Sequence, residues 1–333
     1  MTDAHGSAVV AAGSSVTVEE LPDGRHRLSV SEDRSAMDLV RRWDTAYPPD
    51  LIHAILDVKG MAALDEIRRD EDESYVAVHL RDDLLSYLPP EDFERRRLLD
   101  FGCGAGASTM CLARLFPATE VVGLDYRRDL IDLAEFRRRL YAHSKVLFAC
   151  SPDPNRLPVG IGLFDYVVFS AAYEHLLPRE RGSVLSNVWS LLRTGGVLFL
   201  DQTPHRYWPI EAHTTRLPFL NYLPAPLALV AARQFSRRVP RAQSWDALLR
   251  RGIRGGTERE IIHLLKQGAD GAPELLEPSR FGLRDRIDLW YYVSTRTRGH
   301  PLKKVLRHGL KALRSVSGIT LVPRLALAIR KGT

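Results

Sequence analysis

The feature of the sequence that most constrains the fold is a glycine-rich turn between an apolar run and a helical pattern. The turn reads Asp100-Phe-Gly102-Cys-Gly104-Ala-Gly106. Glycines let the backbone turn tightly and approach a bound nucleotide near the positive end of the following helix. Asp125 ends the next apolar run, 23 residues after Gly102, where an acid can accept hydrogen bonds from both ribose hydroxyls. The combination is far more specific than a glycine loop alone.

Short apolar runs alternate with helical patterns between residues 97 and 201. The sequence predicts strands at 97–101, 120–125, 145–149, 164–170 and 196–201, and helices at 107–116, 129–143 and 178–192. Because each strand is apolar throughout, we expect a parallel sheet that helices cover on both faces. The predicted fold class is therefore α/β.

The rest of the chain divides around this core, which we place at residues 91–203. Residues 1–35 are predicted to be flexible with a small hairpin at Val16–Glu20 and His26–Val30, and residues 1–14 to be disordered. Residues 36–90 are predicted to form a helical extension, in which Asp50 caps a helix that starts at Leu51.

Two segments follow the core. Residues 204–278 form a predicted insertion, with a Pro-rich apolar lid and a helix near 257–266. Residues 279–333 are predicted to complete the sheet, with strands at 281–290 and 325–330 and a basic helix at 302–315. We expect that helix to pack its apolar stripe on the sheet and to show its charged side to phospholipid headgroups or a diphosphate-linked glycan.

Charge is distributed unevenly along the chain. Residues 233–333 hold 22 basic and 8 acidic residues, whereas residues 1–232 hold 25 and 33. A basic final third indicates either an anionic partner or a solvated basic surface. The three cysteines lack CxxC spacing, no apolar run is long enough to span a membrane, and the first residues do not resemble a secretory signal. We therefore predict a cytoplasmic protein, with peripheral contact to an anionic membrane as a further hypothesis.

Five motifs in order resemble the class I S-adenosylmethionine-dependent methyltransferases. The segment 98–109 resembles the first motif of that family, and Asp125-Tyr126 resembles the second. Asp153-Pro-Asn-Arg-Leu-Pro resembles the segment whose acid contacts adenine, although Cys150-Ser-Pro stands where the family usually has a glycine before that acid. Segments 164–170 and 191–198 resemble the fourth strand and the turn before the fifth. The resemblance covers residues 97–201 and implies a Rossmann-like, mostly parallel seven-stranded sheet with an insertion after strand five.

The resemblance also implies a cofactor, S-adenosyl-L-methionine, and the residues that bind it. These are Asp100, Gly102, Cys103, Gly104, Gly106, Asp125, Tyr126, Asp153 and Ser170. An acid near the glycine loop suits the positively charged methionine end of this cofactor and would repel a dinucleotide pyrophosphate.

Three histidines follow strands four and five, where the acceptor of a methyl group should lie. His175 belongs to a Glu-His pair that recurs at this place in the methyltransferases this region resembles, and His205 and His213 lie in a segment rich in aromatic and titratable residues. Each is a candidate general base for a hydroxyl acceptor. His205, His213 and Glu211 have poor spacing for metal ligands, so the sequence predicts no metal site.

The reaction these features favour is methyl transfer to an oxygen of a glycan, a lipid-linked intermediate or a secondary metabolite. Three alternatives stay open: an NAD(P)-dependent oxidoreductase, a nucleic-acid methyltransferase that uses the basic final third, and a protein that binds the cofactor without turnover. The nucleic-acid alternative is disfavoured because no base-methylation motif follows strand four and no RNA-binding module is visible. The acceptor, the methylated atom and the oligomeric state are left open by the sequence.

Overall fold

A four-stranded antiparallel sheet forms the start of the described chain. The computed structural model describes residues 8–11, 14–32, 40–153, 156–268, 270–297 and 300–332. The strands are β1 (Ala8–Ala11), β2 (Ser14–Glu20), β3 (His26–Glu32) and β4 (Arg42–Thr45), paired in chain order. The predicted hairpin is confirmed as β2 and β3. The prediction of disorder was wrong for Ala8–Ala11, because this segment pairs with β2; residues 1–7, 12–13 and 33–39 lie outside the described residues.

Three helices then lead to the core. They are α1 (Pro49–Lys59), α2 (Ala63–Glu71) and α3 (Val78–Leu85). The helical prediction for 36–90 was wrong at β4, where Arg42–Thr45 pairs with β3. Asp50 does not cap α1; it lies in the first turn, since Pro49 starts the helix with a fixed φ and no N–H to leave unpaired.

The central sheet of the described chain has seven strands. The strands that follow β4 along the chain are β5 (Arg97–Phe101), β6 (Glu120–Asp125), β7 (Val146–Cys150), β8 (Phe164–Ser170), β9 (Leu192–Pro204), β10 (Ile210–Glu211), β11 (Leu217–Pro218), β12 (Pro273–Leu276) and β13 (Arg324–Lys331). Seven of these strands form the central sheet, in the spatial order β12-β13-β9-β8-β5-β6-β7. Strands β5 to β9 run parallel, while β13 runs antiparallel to its neighbours β9 and β12. The predicted Rossmann-like, mostly parallel sheet is confirmed.

Helices cover both faces of this sheet. They are α4 (Ala107–Leu115), α5 (Arg128–Tyr141), α6 (Pro178–Ser190), α9 (Glu258–Gly268) and α10 (Arg286–Thr297). The insertion carries α7 (Ala225–Phe235) and α8 (Trp245–Arg250), and α11 (Pro301–Ser317) packs on α10. One apolar cluster lies on the α4 side of the sheet, and a second lies on the α6 side. The insertion after β9 has a third cluster of its own, built from α7, α8 and the segments beside them.

The prediction of a strand at 281–290 was wrong, because α10 begins inside that range. Asp285 caps this helix: its carboxylate accepts the backbone N–H of Asp288 at 2.8 Å. The missing strand lies earlier, at β12, where Pro273–Leu276 pairs with β13.

Helix α11 lies with its charged side inward, opposite to the sequence prediction. Arg307 and Lys311 both pair with Asp288, and Arg314 pairs with Glu277. Of its apolar residues Leu310 is buried, whereas Leu302, Val305 and Val316 are 68, 68 and 89 % exposed. The ion pairs with α10 and the segment before it fix this orientation, which the helical periodicity alone could not choose. Among the described helices none has the length and apolarity to cross a bilayer.

Candidate cofactor and acceptor site

The glycine turn joins β5 to α4 in a conformation that glycine alone adopts easily. Gly102, Gly104 and Gly106 have φ values of +78°, +55° and +83°. A Cβ on Gly106 would lie 2.8 Å from the ring of Phe148 and 2.9 Å from Ala134. The backbone N–H of Gly102 donates to the carbonyl of Leu124 at 2.8 Å. The turn is therefore held tightly against the ends of β6 and β7, with the N-terminus of α4 directly behind it.

Asp125 lies at the carboxyl end of β6, beside the glycine turn. One of its carboxylate oxygens accepts the backbone N–H of Gly104 at 3.1 Å, and the other accepts that of Arg127 at 2.9 Å. The carboxylate is half-buried and thus reachable by a ligand. The sequence predicted that the glycine turn and Asp125 act together, and the hydrogen bond from Gly104 to Asp125, 21 residues away, brings them into direct contact.

Asp100 faces the helix. One oxygen of its buried carboxylate accepts the hydroxyl protons of Ser108 at 2.7 Å and Thr109 at 2.6 Å. Burial raises the pKa of Asp100, while these two hydrogen bonds oppose the shift. The structure therefore gives this acid a clear role in fixing the turn to the first residues of α4. Burial also raises the pKa of the neighbouring Cys103, which stays a thiol.

Three further predicted cofactor residues lie around the same edge of the sheet. Tyr126 follows β6 and is 53 % exposed. Asp153 follows β7, is half-buried and pairs with Arg156. Ser170 ends β8 in register with Asp201 of β9. The carboxyl ends of parallel strands meet here, so all nine predicted residues lie along one edge.

The backbone is strained where β8 ends. Ala171 has a φ of +49°, which is rare for a residue with a side chain, and Ala172 lies 3.2 Å from the position of a Cβ on Gly102. A short 3₁₀ turn, Tyr173–His175, follows. The strained backbone turns the chain after β8, and Ala172 lies beside Gly102 of the glycine turn. Glu174 and His175 follow two and three residues after Ala172.

Glu174 and His175 differ in exposure but point toward each other. Glu174 is fully buried; its Oε2 accepts the hydroxyl proton of Thr203 at 3.0 Å, and burial raises its pKa. The Nδ1 of His175 lies 2.8 Å from the carbonyl of Arg250. Since a carbonyl only accepts, Nδ1 carries a proton, and in the neutral form of the ring Nε2 is the acceptor. That Nε2 lies 3.9 Å from Glu174 Oε1.

The structure brings His213 to this pair and leaves His205 apart. The rings of His175 and His213 have centroids 5.5 Å apart. Partial burial lowers the pKa of His213, and the charges of His175 and Arg251 lower it further. His205 is buried and its Nδ1 accepts the backbone N–H of Tyr207 at 3.1 Å. Burial lowers the pKa of His205 to about 4, so it stays neutral.

Glu211 does not join a metal set with His205 and His213. Its Oε1 accepts the backbone N–H groups of His213 and Thr214, and its Oε2 accepts both the N–H and the hydroxyl of Thr215. These four hydrogen bonds saturate the carboxylate and shape the loop that carries His213.

A buried pair of acids was missed by the sequence analysis. Asp201 at β9 and Asp83 of α3 are 2 % exposed. Burial and the charge of Asp83 raise the pKa of Asp201 to about 8. Gln202, whose φ is +59°, donates to Asp83 at 3.1 Å, and Arg324 pairs with Asp83 at 3.5 Å. Asp201 ends a predicted strand and could have been noticed, but no sequence signal links Asp83 to it from 118 residues away.

A cavity of about 260 Å³ lies beside His205 and His213, between the segment after β9 and the loop after α8. Its lining is mostly apolar. The lining residues are Pro204, His205, Trp208, Ile210, Glu211, Ala212, His213, Asn221, Gly252, Ile253, Gly255, Pro323 and Arg324. His205 and His213 are thus brought to one cavity, and Gly252 connects it to Glu174, since a Cβ there would lie 3.0 Å from Glu174 Cγ.

Comparison with known proteins agrees with this geometry. Residues 98–196 match the family model described as a methyltransferase domain. The matched range runs from β5 into β9 and holds all nine predicted cofactor residues. The resemblance drawn from the sequence is confirmed: the chain contains a class I S-adenosylmethionine-dependent methyltransferase domain.

The relatives cover only part of the chain. A demethylmenaquinone methyltransferase from Deinococcus radiodurans is 30 % identical over 41 % of this chain and 55 % of its own length. A trans-aconitate 2-methyltransferase from Paracidovorax citrulli is 30 % identical over 43 % of this chain and 50 % of its own length. The structure of PKMT2 from Rickettsia typhi in complex with AdoHcy is 14 % identical, covers 78 % of this chain and 53 % of that one, and has a TM-score of 0.44. The chain therefore spans about half the length of these relatives.

Proposed function

We propose that this protein transfers a methyl group from S-adenosyl-L-methionine to an oxygen of its acceptor. The observation that carries the proposal is the contact of Asp125 with Gly104, because it places a half-buried carboxylate next to a glycine turn and a helix N-terminus. Each oxygen of this carboxylate keeps a second acceptor position beside its bond to the N–H of Gly104 or Arg127, and the ribose hydroxyls of the cofactor would donate there. The methionine end would lie against the glycine turn, near Ser170.

The acceptor would approach from the side of β8 and β9. In-line attack by its oxygen on the methyl carbon breaks the S–CH₃ bond, whose electron pair stays on sulfur and yields S-adenosylhomocysteine. The proton of the hydroxyl leaves to a base or to solvent. His175, with Nε2 free to accept, is the histidine best placed to receive it, and the neutral His205 and His213 line the neighbouring cavity.

The mostly apolar cavity supports an acceptor with an apolar part, such as a lipid-linked intermediate or a secondary metabolite, or a glycan carried on a lipid. The relatives named above have different acceptors in their names, a quinone precursor and a tricarboxylic acid, so they do not favour one class.

Calorimetry with S-adenosylmethionine, S-adenosylhomocysteine and NAD(P) tests the cofactor. We expect binding of the first two; tight binding of NAD(P) instead would favour an oxidoreductase.

Radiolabelled cofactor and a lysate, fractionated into lipid, glycan, RNA and protein, then test the acceptor. Label in the RNA fraction would favour the nucleic-acid alternative, and cofactor binding without label in any fraction would favour a binding protein without turnover.

We also propose peripheral contact with an anionic membrane through α11. Its outward face carries Leu302, Val305 and Val316, all more than two thirds exposed. Lys304 is exposed beside these apolar residues and would complement anionic headgroups, whereas Arg307, Lys311 and Arg314 are paired inward with Asp288 and Glu277. Apolar residues beside cations are typical of helices that lie in a membrane interface.

Co-sedimentation with vesicles tests this contact. We expect the protein to pellet with vesicles that contain anionic lipid, and Val305→Glu together with Val316→Glu to abolish pelleting at low and high salt. Lys304→Gln, on the same exposed helix, is the matched control and should weaken binding only at low salt. Failure to pellet under every condition, or a dimer in solution that the glutamates dissociate, contradicts the proposal.

A further inference from the structure

Glu174, His175 and His213 form a group that the cofactor chemistry does not use. Each offers one ligand atom, and the three atoms lie within 4.8 Å of one another. The three residues come from different places in the sequence: two from the turn after β8 and one from the loop that Glu211 shapes. Neither helical periodicity nor motif spacing brings them together.

The buried carboxylate is incomplete without a further partner. Among the described residues Glu174 Oε1 has no hydrogen-bond donor, although the side chain is fully buried. A buried carboxylate oxygen without a partner is costly, and such oxygens are normally paired with a donor or a cation. His175 Nε2 lies 3.9 Å from this oxygen, too far for a hydrogen bond.

His175 presents the correct tautomer for ligation. The carbonyl of Arg250 accepts the Nδ1 proton of His175, which leaves the lone pair of Nε2 directed to the group. Such a second hydrogen bond is usual for histidines that bind metals, because it fixes the tautomer and the ring orientation. Glu174 is held in the same way by the hydroxyl of Thr203 on its other oxygen.

The surroundings leave room at the group. Gly252 has a φ of +83°, and a Cβ at this position would lie 2.6 Å from the ring of His213 and 3.0 Å from Cγ of Glu174. Glycine here lets the loop after α8 pass between both side chains. His175 is partly exposed and His213 is exposed, so both side chains can move toward an ion. Two ligand atoms about 2.0–2.1 Å from one tetrahedral ion lie about 3.4 Å apart, so separations of up to 4.8 Å would shorten by up to about 1.4 Å.

We propose that Glu174, His175 and His213 bind one first-row divalent transition metal, such as Zn²⁺ or Co²⁺, with a coordination position open to the acceptor cavity. Two imidazole nitrogens and one carboxylate oxygen suit these metals better than Mg²⁺ or Ca²⁺. Three protein ligands with one open position are typical of catalytic sites. The open position would take the oxygen of the acceptor, lower its pKa and orient it toward the methyl group. With Nε2 of His175 bound to the metal, that nitrogen would no longer serve as the base, and the proton of the acceptor would leave to solvent. This part of the inference rests on the proposed function, whereas the binding of the metal does not.

The test uses the full chain without a polyhistidine tag, freed of metal with a chelator and titrated with CoCl₂. We expect about one Co²⁺ per chain by dialysis and metal analysis, with visible absorption bands of a four- or five-coordinate site. Glu174→Gln and His213→Ala should each weaken Co²⁺ binding at least about tenfold. His205→Ala is the matched control: it removes a histidine of the same cavity that lies outside the group, and it should leave Co²⁺ affinity unchanged.

Calorimetry with S-adenosylhomocysteine on the same preparations separates the two proposals. If the wild-type chain binds S-adenosylhomocysteine but no Co²⁺, or if both variants bind Co²⁺ as the wild type does, the metal site is overturned and the proposed function stands. If the wild type binds Co²⁺ but not S-adenosylhomocysteine, the proposed function fails and the metal site stands. His213 lies on an exposed loop, so its variant gives the answer even if Glu174→Gln does not fold.

Discussion

The cofactor region (residues 97–170 and 176–201) and the acceptor region (residues 171–175 and 202–257) are built by contacts of different range. In the cofactor region Asp100 binds hydroxyls eight and nine residues away, and Asp125 binds a backbone group 21 residues away. In the acceptor region the bond between His175 and Arg250 spans 75 residues, and Gln202 reaches Asp83 across 119. A cofactor region whose contacts join residues close in sequence can be kept among proteins with different acceptors. An acceptor region whose contacts join residues far apart in sequence can differ from one such protein to another.

Substitutions that leave a cavity in the core should show the largest difference between the two regions in their effect on cofactor affinity. Leu248 is fully buried in the separate cluster of the insertion, and Leu198 is fully buried in the sheet. Either change to alanine should cost about 2–5 kcal/mol. We expect Leu248→Ala to lower hydrogen-exchange protection in 217–253 while cofactor affinity persists, and Leu198→Ala to lower both. Equal loss of cofactor affinity in the two variants would show that the regions unfold together.

Removal of a side chain at the acceptor should affect turnover alone. His175→Ala should lower turnover about a hundredfold, the usual scale for a lost general base, because Nε2 faces the acceptor side. Affinity for S-adenosylmethionine should stay unchanged in calorimetry. A parallel loss of cofactor affinity would place His175 in the cofactor region instead.

Removal of the ribose acid should have the opposite effect. Asp125→Ala removes a carboxylate that accepts two hydrogen bonds and should weaken S-adenosylmethionine binding ten- to a hundredfold, or about 1.5–3 kcal/mol. Asp153→Ala is a useful comparison, since its carboxylate lies at the next strand end. Unchanged affinity in a folded Asp125→Ala chain would contradict the cofactor assignment.

A separate effect, on stability rather than on binding or turnover, concerns Asp201, where the two regions meet. Its pKa of about 8 in the folded chain exceeds the ordinary value near 3.9, so the folded state holds a proton that the unfolded state loses. The free energy of unfolding should therefore fall as pH rises from about 4 to about 8, by up to about 1.4 kcal/mol per pH unit. Asp83, Glu174 and Arg324 are the charged groups that act on this carboxyl.

Asp201→Asn should flatten that dependence, because the amide does not titrate. Denaturant unfolding at pH 5 and pH 8 measures it: the stability of the variant relative to the wild type should increase from pH 5 to pH 8. If the two chains lose stability in parallel as pH rises, Asp201 is ionised in the folded chain throughout.

The sequence by itself determined the elements whose causes are local. The glycine turn, the alternation of strands and helices and the order of motifs predicted the sheet and the place of the cofactor, because positive φ values, caps and apolar periodicity act within a few residues. The same reasoning failed at α10, where the side chain of Asp285 caps a helix inside a predicted strand.

Only the tertiary structure decided which distant groups meet. Helical periodicity gave α11 two faces, but the acids at 277 and 288 determined that its cations point inward. Likewise the sequence grouped His213 with Glu211, whereas the fold saturates Glu211 with backbone donors and brings His213 to Glu174 and His175. Such contacts depend on how loops are packed against each other from far along the chain, and no local pattern records that packing.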